Sequence, residues 1–126
     1  MDNNKRYTAT HEWIMAEGEY MTVGITAHAQ ALLGDLVYVE LPAIGKIVAQ
    51  HDELGVVESV KAAADFYAPI SGTVVAINPA VQDQAGLVNE SPEQAGWLVK
   101  LSARDPAELD TLFNQAQYLQ QLNQTD

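Results

Sequence analysis

The chain has 126 residues, with 17 acidic against 6 basic side chains and a formal charge of −11. The length suits a single domain, residues 1–126, with a real hydrophobic core, while the charge repels phosphate backbones and anionic membrane surfaces, so neither nucleic acid nor membrane is an expected partner. With no cysteine there is no disulfide framework, thiol nucleophile or Cys-based metal or iron–sulfur site, and any redox chemistry has to be borrowed.

No apolar run approaches the ~20 residues of a bilayer-spanning helix. The polar start from Met1 to Arg6 is followed by no signal-peptide core. A cytoplasmic protein of bacterial type is expected, and a mature mitochondrial protein stripped of its transit peptide would look the same.

Residues 11–16 and 20–25 read as strands around the turn Glu17-Gly18-Glu19, with Gly18 available for a positive φ. Residues 26–34 begin with an N-capping Thr26, continue with helix formers and stop at Gly34, which predicts one short helix anchored by Leu32 and Leu33. Residues 36–41 form the next strand, closed by Pro42 and a turn at Gly45, and Val48 with residues 52–60 supplies another β element.

The β-like run 55–60 leads into Lys61, and a second run, 73–77, follows the Ser71-Gly72 turn signal. Together they read as a hairpin-type element displaying Lys61. Asn78-Pro79 ends the second run, and residues 80–95 read as a long ordered loop with at most a turn of helix, anchored by Leu87-Val88. A last strand is expected over 96–101. Asp105, Pro106 and Glu108 then open a helical tail, about 105–123, on which Leu109, Leu112, Phe113, Ala116, Leu119 and Leu122 form one apolar stripe against the β core. Residues 121–126 are expected to fray.

Without βαβ alternation the fold class is mainly β, two packed antiparallel sheets or a flattened barrel, with one inserted helix and a C-terminal helical tail. Trp13 and Trp97 are expected in the core, and His28 as a capping or surface residue or, alternatively, a partner contact. The three histidines are scattered without metal-ligand spacing, the glycines match neither a P-loop nor a dinucleotide fingerprint, and no serine sits in a nucleophile elbow. Lys61 has Glu58 three residues before it and Asp65 four after, neighbours that disfavour the neutral amine of a Schiff-base catalyst. Two readings of it stay open: an exposed lysine without a role, or a hairpin lysine offered to a modifying enzyme.

Eight blocks bear on that choice: His11-Glu-Trp-Ile, Val23-Gly-Ile-Thr-Ala-His-Ala-Gln, Leu33-Gly-Asp-Leu-Val, Glu40-Leu-Pro-Ala-Ile-Gly45, Val57-Glu-Ser-Val-Lys-Ala62, Ala68-Pro-Ile-Ser-Gly72, Leu87-Val-Asn and Gly96-Trp-Leu. In order and spacing they closely resemble the H-protein family of the glycine cleavage system, over about residues 7–101 plus the tail. The resemblance implies a barrel-sandwich hybrid of the lipoyl/biotinyl-carrier type and lipoate joined as an amide to Lys61, with Glu58, Ser59, Val60 and Ala62 read by lipoylating enzymes and Gly45 and Gly72 shaping the hairpin. It places Thr10, Glu12 and Asp65 in a cleft holding the amine-bearing end of the loaded arm. The alternative for Glu12 is a solvated strand residue.

The implied function is that of a monomeric carrier rather than an enzyme. It would take the aminomethyl group of glycine from a pyridoxal-phosphate glycine decarboxylase (P protein) to a tetrahydrofolate-dependent aminomethyltransferase (T protein), then present dihydrolipoyl to dihydrolipoamide dehydrogenase (L protein). The alternatives are an octanoyl or lipoyl relay carrier and an unmodified regulatory module; biotin attachment is disfavoured because Val60-Lys61-Ala62 lacks the Met-Lys-Met setting. The family commonly has Pro-Glu where this chain has Ala85-Gly86, and Asp-Pro-Tyr-Gly where it has Ser91-Pro-Glu-Gln94, which leaves the partner contacts of residues 83–95 open.

Overall fold

The structure, a computed structural model, describes residues 5–125, with side chains described through residue 122. In chain order the elements are β1 (Lys5–Tyr7), β2 (Glu12–Glu17), β3 (Tyr20–Ile25), α1 (Ala27–Leu33), β4 (Leu36–Glu40), β5 (Ile47–Val48), β6 (Glu53–Ser59), β7 (Ala63–Tyr67), β8 (Gly72–Ile77), α2 (Pro79–Asp83), α3 (Gly86–Glu90), β9 (Val99–Ala103), a 3-10 helix (Pro106–Thr111) and α4 (Gln115–Thr125). The strands form two antiparallel sheets, of order β1-β2-β3-β9-β8-β5 and β4-β6-β7, without closing into a barrel. The core lies between them, where Ile14, Val23, Val74 and Leu101 of the larger sheet meet Val39, Leu54, Val57 and Phe66 of the smaller. Burying these branched and aromatic side chains is the main stabilising term.

Local chemistry sets most boundaries as expected. β2 and β3 pair from Glu12↔Ile25 to Glu17↔Tyr20 around Gly18 at φ +63°. Thr26 Oγ1 accepts the Ala29 N–H at 3.1 Å to start α1, and Gly34, at φ +83°, donates its N–H to Gln30 O to end it.

Several expectations are corrected. The strand after Lys61 is β7, which pairs with β6 from Glu58↔Ala63 to Glu53↔Tyr67; residues 72–77 belong to the other sheet, between β5 and β9. Gly45 and Gly72 therefore do not shape the Lys61 hairpin. Gly45 turns the chain into β5 at φ +97°, and Gly72 pairs with Val48 and Ala103 in the larger sheet. The expected loop 80–95 contains two helices, α2 and α3, seated by the fully buried Val81 and Val88. Leu32 is 58% exposed, so Leu33 alone of the expected pair packs on the core. The last strand starts at Val99 rather than at residue 96, and Trp97 is half-buried, with the Lys100 ammonium 5.1 Å from its ring centre.

The tail is not one helix. The 3-10 helix is held by Glu108, which accepts the Ser71 N–H at 2.6 Å and the Ser71 hydroxyl at 2.9 Å. The chain then opens so that Phe113 bridges Tyr7, and α4 begins afresh. Leu119 is 51% exposed, whereas Tyr118 is buried, its ring stacked on Tyr7 at 4.8 Å. Fraying was expected over 121–126; α4 runs through Thr125, and residue 126 lies outside the described residues.

Gly72 is required by space rather than by dihedral angle, because a Cβ there would sit 2.3 Å from the Ser102 carbonyl oxygen. Gly72→Ala is expected to cost about 2 kcal/mol or more by overpacking. Gly86→Ala, in a helix and facing open space, is expected to be neutral or to stabilise by up to about 1 kcal/mol. Denaturant midpoints of the two variants check the contrast.

Candidate functional site: a lysine hairpin and an acid-ended cleft

Lys61 stands at the exposed tip between β6 and β7. The tip is built by Ser59, whose Oγ accepts the N–H groups of Lys61 at 3.2 Å and Ala62 at 3.0 Å, while its backbone N–H donates to Ala62 O at 2.7 Å. Val60 donates its N–H to Asp35 O at 3.1 Å, fastening the tip to the chain between α1 and β4, and its side chain is 73% exposed. Glu58 is half-buried opposite Tyr38 and Ala63. Among the described residues no carboxylate lies within ion-pairing distance of the Lys61 ammonium. Its stem lies beside Gly34, where a Cβ would be 3.6 Å from Lys61 Cε.

Gly34 caps α1, and beneath α1 a cleft of about 160 Å³ opens between the two sheets. Ala29, Leu32 and Leu33 of α1, Ile25 of β3, and Val57, Ala64 and Phe66 of the smaller sheet give it mostly apolar walls. Its polar lining is Thr10, His11, Glu12 and Asp65. The structure thus brings together Thr10, Glu12 and Asp65, and sets them beside the helix whose cap the Lys61 stem lies next to.

Glu12 is not a solvated strand residue: it is 1% exposed. Its Oε1 accepts the hydroxyls of Thr8 and Thr10, each at 2.5 Å, and its Oε2 accepts the Tyr67 N–H at 3.2 Å from β7. That last bond crosses from one sheet to the edge strand of the other. Burial pushes the Glu12 carboxyl above its ordinary 4.5, while the bonds from Thr10, Thr8 and Tyr67 pull it back. A buried acid held against its desolvation at the end of an apolar cleft is suited to a cationic group. Asp65 adds a second carboxylate from β7, and it raises the pKa of the neighbouring Glu53 by hydrogen bonding and charge.

The comparisons with known proteins give the family of the chain. The family model described as glycine cleavage H-protein matches residues 5–125. This chain belongs to the glycine cleavage H-protein family. A family protein from Legionella pneumophila (strain Corby), named glycine cleavage system H protein, is 57% identical over 116 residues, 92% of this chain and 93% of its own. One from Alcanivorax borkumensis is 52% identical over 118 residues, covering 94% and 92%. The crystal structure of a glycine cleavage system H protein from Mycobacterium marinum superposes with a TM-score of 0.88 at 36% identity, over 98% of this chain and 99% of that one. The family is the lipoyl-bearing shuttle of the glycine cleavage system, and the two-sheet fold here is of the lipoyl-carrier type. No helix of the described residues is long and apolar enough to cross a membrane.

Sequence reasoning missed His11 as a neighbour of His28. The rings lie 4.8 Å apart, and His11 Nδ1 is 2.8 Å from the Tyr118 hydroxyl. Their separation in sequence carries no sign of this contact, which depends on α1 and α4 both packing against the turn that carries His11.

The Glu12 carboxyl has a pH signature. An acid that titrates higher in the folded than in the unfolded chain costs stability when ionised; the cost is complete above the folded pKa and disappears as pH falls from there toward 4.5. Glu12→Gln removes the titration and adds a pH-independent loss at the Tyr67 N–H. The melting temperature of the variant minus that of the parent is therefore expected to become more positive as pH rises from about 4.5 to about 7. Thermal scans across that range check the sign, and the opposite slope would contradict it.

Proposed function

We propose that Lys61 is the lipoyl attachment site and that the cleft ending on Glu12 and Asp65 receives the loaded arm of a glycine cleavage carrier. The observation that carries the reading is the path of the lysine stem: an exposed tip with no ion pair among the described residues leads past Gly34 to an apolar cleft whose inner end is a buried carboxylate. A neutral amide in place of the ammonium leaves no unpaired charge at the tip. The residues present fit the group, with apolar walls for an aliphatic arm and acids for an amine.

When bound, the lipoyl group supplies the redox-active sulfur pair that a cysteine-free chain lacks, and with it the capacity to carry an aminomethyl group. The chain's own work is presentation and protection. Ser59 holds the tip in shape, and Glu58, Val60 and Ala62 flank the target lysine for a lipoylating enzyme. Leu33, Ala64 and Phe66 exclude water along the arm; Glu12, fixed by Thr8 and Thr10, attracts the ammonium end together with Asp65. A carrier of this kind has no turnover of its own. It would dock in succession on the glycine decarboxylase, the aminomethyltransferase and the dihydrolipoamide dehydrogenase.

Intact mass of the chain made in cells with active lipoylation is expected to show the increment of one lipoyl amide, absent in Lys61→Ala. A wholly unmodified parent would contradict the attachment. Glycine–bicarbonate exchange with purified glycine decarboxylase should require the modified chain, and no exchange in its presence would refute the glycine assignment. Glu12→Gln is expected to keep the mass increment and to shorten the lifetime of the loaded arm by about tenfold or more, the scale of one lost charge-assisted hydrogen bond.

A further inference from the structure

Three elements meet at the polar end of the cleft: the turn before β2, the first turn of α1, and α4. Their contact is a chain of hydroxyls. Thr26 Oγ1 lies 2.9 Å from Tyr118 Oη, and Tyr118 Oη lies 2.8 Å from His11 Nδ1. Hydrogen accounting gives the chain a direction. Thr26 is 1% exposed and its oxygen already accepts the Ala29 N–H, so its own hydrogen goes to Tyr118, the remaining partner. Tyr118, 4% exposed, then has its hydrogen left for His11. A donor on Nδ1 fixes that nitrogen as an acceptor and puts the ring hydrogen on Nε2, in neutral imidazole.

We propose that Tyr118 is a positioning residue of the arm cleft: through its hydroxyl, α4 holds His11 as the neutral, Nε2-protonated tautomer and so keeps positive charge out of the wall that receives a cationic cargo. The inference rests on the carrier reading for its cargo, but the hydroxyl chain stands without it. An imidazolium at His11 would reverse the donor at Nδ1, leave the buried Tyr118 hydrogen without an acceptor, and place a cation beside the acids meant for the arm. The groups facing His11 are Glu12 in its own chain, Asp65 of β7 across the cleft, His28 of α1 and Tyr118 of α4, with Glu93 acting on Tyr118 from the segment before β9. Burial and then His28 lower the His11 pKa from 6.5, and burial raises that of Tyr118 from 10.0, so each keeps the protonation state that the chain of hydroxyls requires.

The role also accounts for the way α4 is attached. Among the described side chains of α4 the buried one is Tyr118, stacked on Tyr7 with an interplanar angle of 9°. Undocking α4 therefore removes the donor from His11 in the same motion.

The test uses the full unmodified chain and its Tyr118→Phe variant, which keeps the ring and its stack on Tyr7. Long-range proton–nitrogen spectra should show His11 Nδ1 unprotonated and Nε2 protonated at neutral pH, with a titration midpoint below 6.5. In Tyr118→Phe the midpoint should rise by about half a unit to one unit, the worth of one hydrogen bond to the neutral ring, and both tautomers should appear. Protonated Nδ1 in the parent, or an unmoved midpoint in the variant, would overturn the proposal. On the lipoylated, glycine-loaded chain, the pH below which the arm loses protection should rise with the His11 midpoint in Tyr118→Phe. It should vanish from the neutral range in His11→Asn, whose side chain tolerates the φ of +73° at this position. Loss of protection independent of both variants would also overturn it. Failure to lipoylate would instead count against the Lys61 reading, and the histidine titration would still decide this one.

Discussion

The structure turns on a carboxylate kept out of water. Glu12 is the first residue of β2 and one of the largest fully buried side chains of the protein, and its two oxygens are held by Thr8, Thr10 and the Tyr67 amide. An ionised acid in that position needs every one of those donors, since an unpaired buried charge costs several kcal/mol. One of them belongs to the edge strand of the opposite sheet, where an exposed N–H would otherwise invite another chain. A single side chain thus pins the two sheets together where they would part, and the same side chain ends the cleft.

That constraint explains the division of the molecule. The larger sheet supplies the turn carrying Thr8, Thr10 and His11; the smaller supplies the hairpin carrying Lys61; α1 lies between, with its capping Gly34 at the lysine and its capping Thr26 at the Tyr118 chain. Both ends of one short helix are therefore tied to opposite ends of the site. A rigid scaffold of this sort favours presentation of a long flexible group, because the entropy of ordering the arm is the main cost left to meet on docking. The acidity of the whole chain adds a long-range field that attracts basic partner surfaces, strongest at low salt.

Much of the fold was legible because local rules and tertiary demands agree. The β2–β3 hairpin around Gly18 and the α1 caps at Thr26 and Gly34 fall where turn and capping chemistry put them. β7 was missed because Ala63-Ala64-Asp65 has little strand propensity and is extended only by pairing with β6. Asn78-Pro79 was read as a breaker, yet an N-capping Asn with Pro at the first helical position also starts a helix, as it does for α2. The break in the tail had a readable sign as well: Asn114 and Gln117 form a reciprocal capping box, each side-chain oxygen accepting the other's N–H at 2.9 Å. It resets the helix phase, which is why Tyr118 rather than Leu119 faces inward. At the site, the lysine block was visible in sequence, whereas the burial of Glu12 and the meeting of His11, His28 and Tyr118 come from long-range packing with no local trace.

The most direct measurement of the central claim is an amide and methyl chemical-shift map of the lipoylated chain before and after loading with glycine. If the cleft holds the arm at Glu12, loading moves the Tyr67 amide, the Ala29 and Ala64 methyls and the Leu33 methyls, well beyond the tip at residues 59–62. Changes confined to the tip would mean that the arm stays in solvent, and would contradict the account.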